Sequence, residues 1–204
     1  MHDSPSEPRI WGIIPAAGLS RRFGRPKQLL PLHGSTVVSA VVRTILDANV
    51  SGVIVVTHTQ LVTDLRLPAD PRVRTAINDD ERSEMIDSIR IGLSAIAELG
   101  PNDQDGVLVL PADMPGVSRR SCDLCVAAYR RDPRRIVIAT CGDRRGHPII
   151  FPYYMQPAVR DLTEGLNTLP RMYPAYVTRV DVDDPGANLD IDTPEDWGRN
   201  GQDT

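Results

Sequence analysis

Two runs of consecutive aliphatic residues, Val53-Ile54-Val55-Val56 and Val107-Leu108-Val109-Leu110, most constrain what this chain can fold into. A strand that is apolar at every position has to be covered on both faces, and a mainly parallel sheet with helices packed on either side provides that cover. The flanking pattern agrees. Strand-like Ile10 to Ile14, Val53 to Thr57, Val73 to Ile77 and Ile136 to Thr140 alternate with helical periodicity at Thr36 to Ala48, Glu84 to Leu99 and about Arg119 to Arg130. Such alternation predicts a three-layer α/β/α, Rossmann-like architecture. After Ile136 the rhythm changes: Pro148 to Phe151 reads as an insertion or an antiparallel edge strand, and Tyr176 to Val182 as one more strand. With no internal repeat or linker, residues 10–197 read as one domain, and the polar ends 1–9 and 198–204 as flexible termini.

Composition excludes several function classes. Lys+Arg total 23 against 27 Asp+Glu in 204 residues, a formal net charge of -4, so the broad positive field of a nucleic-acid binder is missing. No apolar run approaches the roughly 20 residues of a membrane span, and the polar opening Met1-His2-Asp3-Ser4-Pro5 lacks a signal-peptide core. A cytoplasmic protein without membrane or nucleic-acid partners is expected. Cys122 and Cys125 form a C-x-x-C, but there is no second pair and the four histidines are scattered. On a helix, positions i and i+3 share a face, so packing explains this spacing better than a redox or zinc site does.

The strand Ile10 to Ile14 runs directly into Pro15-Ala16-Ala17-Gly18-Leu19-Ser20-Arg21-Arg22-Phe23-Gly24-Arg25-Pro26-Lys27. Small residues at the carboxyl end of a parallel strand let the backbone approach a ligand, and successive N–H groups can form an anion-binding nest. Arg21, Arg22, Arg25 and Lys27 concentrate positive charge there on an otherwise acidic chain. Neither the G-x-G-x-x-G fingerprint nor the G-x-x-x-x-G-K-[ST] loop fits the glycine spacing.

The whole segment, PAAGLSRRFGRPKQLLPLHG, instead resembles the first signature of the MobA-like nucleotidyltransferases, with Pro15 in place of the usual Leu and Phe23 where Met is common. The resemblance implies that the backbone of Ala16, Ala17, Gly18, Leu19, Ser20 and on to Gly24 wraps a nucleotide, with Arg22 and Lys27 neutralising its phosphates. The Ala16-Ala17-Gly18 form and the Pro26-Lys27-Gln28-Leu29-Leu30 continuation are most similar to the molybdenum-cofactor cytidylyltransferase branch.

An aspartate at the end of the strand Val107 to Leu110, in Pro111-Ala112-Asp113-Met114-Pro115, can hold a hard cation or serve as a turn or cap residue. The family's A-D-M-P element matches here, and by resemblance Asp113 is the first ligand of a Mg²⁺ ion. Near the end, Asp190 and Asp192 in Asp190-Ile191-Asp192-Thr193-Pro194-Glu195-Asp196 would project to one side of an extended strand. The family carries a similar element associated with the metal, and either aspartate could be the ligand. Thr193, Glu195 and Asp196 make an ordinary helix start.

Around Met85, relatives show G-M-x-x-S-[LI]-x-x-G-L with the serine facing the base; Ser88 and Gly92 match, Glu84 replaces the usual Gly, and Ser83 is a second candidate. Arg145-Gly146-His147-Pro148 matches the G-H-P element and nominates His147 for the acceptor side, as a phosphate ligand, a loop-ordering group or a structural histidine. The family's G-D-x-G-[AS]-R segment is absent, Gly165-Leu166-Asn167-Thr168 standing in its region. The resemblance spans about Ile10 to Trp197. It implies a Mg²⁺-dependent enzyme that transfers CMP from CTP to molybdenum-bound molybdopterin, with the molybdenum cofactor and a recipient molybdoenzyme as partners. GTP or sugar-phosphate chemistry on the same fold, and a non-catalytic cofactor carrier, are the alternatives.

Overall fold

The computed structural model describes residues 7–19, 24–32 and 34–188. Strand β1 (Ile10–Ala16) leads through a small antiparallel pair, β2 (Pro31–Leu32) and β3 (Ser35–Thr36), into helix α1 (Val37–Asp47). Strands β4 (Gly52–Thr57) and β5 (Val73–Ile77) follow, then α2 (Met85–Ala97), β6 (Gly106–Val109) and α3 (Arg119–Arg131). The remainder is β7 (Ile136–Cys141), β8 (Arg144–Pro152), the short helices α4 (Gln156–Arg160) and α5 (Leu169–Met172), and β9 (Val177–Asp181). The described residues form a seven-stranded sheet in the order β5-β4-β1-β6-β8-β7-β9, parallel except at the two pairings made by β8.

Period-two alternation divides the apolar strands between two cores. Ile10, Ile14, Val53, Val55, Leu108 and Leu110 face α1 and α3, while Ile13, Ile54, Val56, Val107 and Val109 face α2 and α4. The three-layer α/β/α expectation therefore holds. Gly92 sets the depth of one helix: a Cβ there would stand 2.7 Å from Ile13 Cγ2, so its absence lets α2 lie close against β1. Cys122 and Cys125 are free thiols buried in the α3 face of the first core. Burial raises both, Cys125 to about 12, which leaves them protonated and unreactive.

Two expectations need correction. The Pro148 to Phe151 segment is antiparallel but is not an edge: β8 lies inside the sheet between β6 and β7, and Ile149, Ile150 and Phe151 are buried. The signal was the two-residue turn Gly142-Asp143, with Gly142 at φ +56, which folds β8 straight back along β7. Arg9, which the sequence assigned to a flexible terminus, is instead anchored. Its backbone N–H donates to Asp105 Oδ1 at 3.0 Å, its Nε to Asp105 Oδ2 at 2.9 Å, and its guanidinium lies 5.1 Å from the Trp11 ring centroid.

The order of the strands decides where a ligand can sit. After β1 the chain moves outward through β4 to β5, then returns to the opposite flank of β1 as β6. Loops leaving the carboxyl ends of β1 and β6 consequently diverge and open a crevice, the position at which α/β sheets bind ligands.

Asp105, 1% exposed, also accepts from Trp11 Nε1 at 3.2 Å and from the N–H of Asn102 at 3.0 Å. Removing this carboxylate strands several buried donors. Asp105→Ala is expected to lower unfolding free energy by about 3 kcal/mol, measured by urea denaturation, and a change below about 0.5 kcal/mol, the range of ordinary surface substitutions, would refute that role.

Candidate active site

Three stretches of chain meet at this crevice. Ala16 closes β1 and is followed by Ala17 and Gly18; Pro111-Ala112-Asp113 follow β6; and Ser83, Glu84, Met85 and Ser88 come from the start of α2. With Lys27 and Gln28 from the 3-10 turn Lys27–Leu29, they line an open cleft of about 600 Å³. Of the residues nominated from sequence, Ala16, Ala17, Gly18, Lys27, Ser88 and Asp113 thus share one cleft. Leu19 does not line the cleft: its apolar side chain packs against the α1/α3 core, and only its backbone follows Gly18 in the loop. Gly24, at φ +78, forms an exposed turn and is absent from the cleft lining. Ser20, Arg22, Asp190 and Asp192 lie outside the described residues, as do positions 1–6 and 198–204 of the termini.

Gln28 holds the first loop in shape. Its buried side-chain Nε2 donates to the carbonyl oxygens of Ala16 at 2.7 Å and Gly18 at 2.9 Å. In a trans peptide the N–H points opposite to the C=O, so pinning these carbonyls turns the N–H groups of Ala17 and Leu19 away from Gln28. Two amides of one short turn, oriented by a buried side chain, suit a phosphate.

Ser88 is buried within the first turns of α2, and its Oγ accepts a 3.0 Å hydrogen bond from Asn78 Nδ2. Asn78, itself buried, is held at the end of β5 by its N–H to the Thr57 carbonyl at 2.8 Å. The Glu84 N–H donates to Asp87 Oδ2 at 2.9 Å, which fixes the helix start.

A second depression of about 590 Å³ adjoins the first and shares Met85, Pro111 and Asp113 with it. His147, Arg145, Asn167 and Asn188 line its far side. Burial pushes the His147 imidazole down to about 4, against a small opposing effect of the Val109 carbonyl 3.4 Å from Nδ1. It is therefore neutral near pH 7. The turn Pro185–Asn188 reaches this rim because glycines admit it: a Cβ on Gly146 would collide with the Ala187 carbonyl, and one on Gly186 with Gly116. Asp184 anchors the same turn by accepting from the Ser118 N–H at 2.9 Å and from the Ser121 hydroxyl. Burial raises its carboxyl, but these bonds outweigh that and hold it below the ordinary range.

Of the nominated metal ligands, Asp113 is the one among the described residues, and a magnesium ion shared with substrate would use it here. Mg²⁺ commonly uses one or two carboxylates and takes its other ligands from phosphates and water. Asp113 is half-buried where the two depressions meet, and Asn188, at the end of the described chain, stands on the same depression two residues before Asp190 in sequence. Among the described residues there is no group of three or more acidic, histidine or cysteine side chains fit for an all-protein metal site.

Two side chains with defined contacts here received no role from the sequence. Gln28 lay inside the quoted motif but carries no charge or nucleophile to draw attention. Asn78 was visible only as a polar residue ending the strand Val73 to Ile77, and its partners lie five and ten residues on.

Residues 12–179 match the MobA-like NTP transferase domain family. The chain is 30% identical over 205 residues to the nicotine blue oxidoreductase of Paenarthrobacter nicotinovorans, an alignment covering 94% of this chain and 96% of that protein. It is 36% identical over 135 residues to the 2-C-methyl-D-erythritol 4-phosphate cytidylyltransferase of Pseudomonas fluorescens (strain SBW25), covering 62% of this chain and 54%, about half, of that enzyme's length. The fold superposes on Rv0371c from Mycobacterium tuberculosis H37Rv with a TM-score of 0.79 at 23% identity, covering 95% of this chain and 97% of that one. With its first glycine loop, its β6 aspartate and its sheet order all in place, the chain belongs to the MobA-like NTP transferase family.

Proposed function

We propose that this protein transfers CMP from CTP to a phosphate-bearing acceptor, with molybdenum-bound molybdopterin as the favoured acceptor and pyrophosphate as the leaving product. The observation that carries the reading is the cleft that gathers Ala16 to Gly18, Lys27, Ser88 and Asp113, joined at Asp113 to a second depression on which an acceptor would sit. The cytidylyltransferase relative supports CTP, and the Ala16-Ala17-Gly18 form of the first loop supports the molybdopterin acceptor.

In this reading an acceptor phosphate oxygen attacks the α-phosphorus in line. A new P–O bond forms as the bond to the bridging oxygen of pyrophosphate breaks. No covalent enzyme intermediate is required, and a phosphate nucleophile is already ionised at neutral pH, so no strong general base is needed. The protein contributes position and charge. Lys27 and the loop amides oriented by Gln28 bind the triphosphate, with Arg22 assigned to the same task. Ser88 meets the base, and neutral His147 orients the acceptor without exchanging a proton near pH 7. Mg²⁺, held by Asp113 with Asp190 or Asp192 and by substrate phosphates, would supply further charge neutralisation when bound.

One observation favours a second reading. The alignment to nicotine blue oxidoreductase runs nearly end to end, whereas that to the cytidylyltransferase covers only part of each chain. An oxidoreductase on this fold would transfer electrons in place of a nucleotidyl group and release no pyrophosphate. Pyrophosphate release is therefore to be measured with CTP, GTP, ATP and UTP, each with molybdenum cofactor or 2-C-methyl-D-erythritol 4-phosphate and Mg²⁺, beside an assay for reduction of nicotine blue. Release with CTP and molybdenum cofactor supports the proposal. Turnover only with GTP overturns the base assignment, and nucleotide binding without turnover favours a carrier.

Lys27→Ala and Asp113→Asn are each expected to reduce transfer by about 100-fold or more while leaving the melting temperature nearly unchanged; parallel loss of both would mark the residues as structural. The low pKa of His147 also has a stability consequence. The unfolded chain takes up this proton near pH 6.5 and the folded one only near 4. Stability linked to His147 is thus full above about pH 6.5 and lost as pH falls toward 4. Urea titrations of His147→Gln should show a shallower decline across that window than the parent protein.

A further inference from the structure

The cleft contains a polar relay whose direction is fixed by geometry. Asn78 Oδ1 accepts the N–H of Asp80 at 3.3 Å, which leaves Nδ2 as the group facing the two serines. Nδ2 then donates to Ser83 Oγ and Ser88 Oγ, both at 3.0 Å. An amide nitrogen has two hydrogens and no acceptor capacity, so both are spent on hydroxyl oxygens. Each serine, having received a hydrogen from Asn78, cannot give its own back along the same line. The hydroxyl hydrogens of Ser83 and Ser88 must point elsewhere, and both serines line the cleft.

We propose that Asn78 is a positioning residue that sets the polarity of the base site, presenting Ser83 and Ser88 as a pair of hydrogen-bond donors to a base with adjacent acceptors. The inference rests on the CTP reading and deepens it. Cytosine offers O2 and an unprotonated N3 side by side, whereas uracil carries a hydrogen on N3 and would set donor against donor. Discrimination between the two pyrimidines then comes from an asparagine that does not itself line the cleft. A site built to hydrogen-bond a particular edge rejects the analogue lacking it more strongly than an apolar pocket does, because its buried polar groups are left unpaired.

Asn78→Asp tests this with little change in shape. A carboxylate at 78 would accept from both serines, so their oxygens would face the base with lone pairs only. Calorimetric Kd values for CTP and UTP, taken on the full chain with Mg²⁺, give a readout independent of turnover. The parent should prefer CTP, and Asn78→Asp should reduce the CTP/UTP affinity ratio at least tenfold. Adding Ser88→Ala to Asn78→Asp should then change the ratio little, because the asparagine acts through that hydroxyl. Should Asn78→Asp fail to fold, as judged by its melting curve, Ser83→Ala/Ser88→Ala in the parent must lower the same ratio. An unchanged ratio in the folded variants, or a parent that does not prefer CTP to UTP, overturns the inference. CTP preference without pyrophosphate release would sink the transferase reading and leave this one standing.

Discussion

Burial of the central strands on both faces is the constraint on which the rest of the molecule depends. Because β1, β4 and β6 are apolar along their length, helices must cover each side, and parallel neighbours must then be joined by crossovers that return the chain to the same edge. Polar side chains are excluded from the strands and displaced into the loops at the carboxyl ends. There the first loop leaves β1, Asp113 leaves β6, and α2 begins just beyond β5. Convergence of cationic, amide and carboxylate groups on one cleft follows from the layering of the sheet and requires no special contact to pull them together.

Buried polar residues then do the fine adjustment. Gln28 fixes the carbonyls of the first loop and Asn78 fixes two hydroxyls, while Asp184 ties the Pro185–Asn188 turn to the start of α3. Gln28 and Asn78 do so with little access to water, and each of the three side chains satisfies several partners at once. An unsatisfied group in such a place costs more than the bond gains, so the arrangement is specified tightly. A rigid nucleotide cleft and a second depression with a neutral histidine are consistent with a reaction in which substrates bring their own charge and the protein supplies orientation.

Much of this was legible in the sequence, and the reasons are specific. The aliphatic runs at 53–56 and 107–110 announced two-sided burial, and the glycine loop following the first strand marked the carboxyl end where the cleft lies. The misplacement of β8 has an equally specific source. Its antiparallel direction was expected, but its place between β6 and β7 depends on pairing with β6 some forty residues earlier, and local periodicity carries no record of that pairing.

What the sequence determined by itself is the list of chemical groups and their order: the three-layer sheet, the small-residue loop, Lys27, Ser88 and Asp113. These follow from local periodicity and short-range motif, which act over a few residues. Tertiary structure alone decided which polar atoms face one another across long stretches of chain, such as Gln28 on Ala16, Asn78 on Ser88 and the Ala187 carbonyl on Gly146. Hydrogen-bond direction depends on ångström-scale placement of separate elements. That placement is set by core packing, and a linear pattern of residue types contains no measure of it.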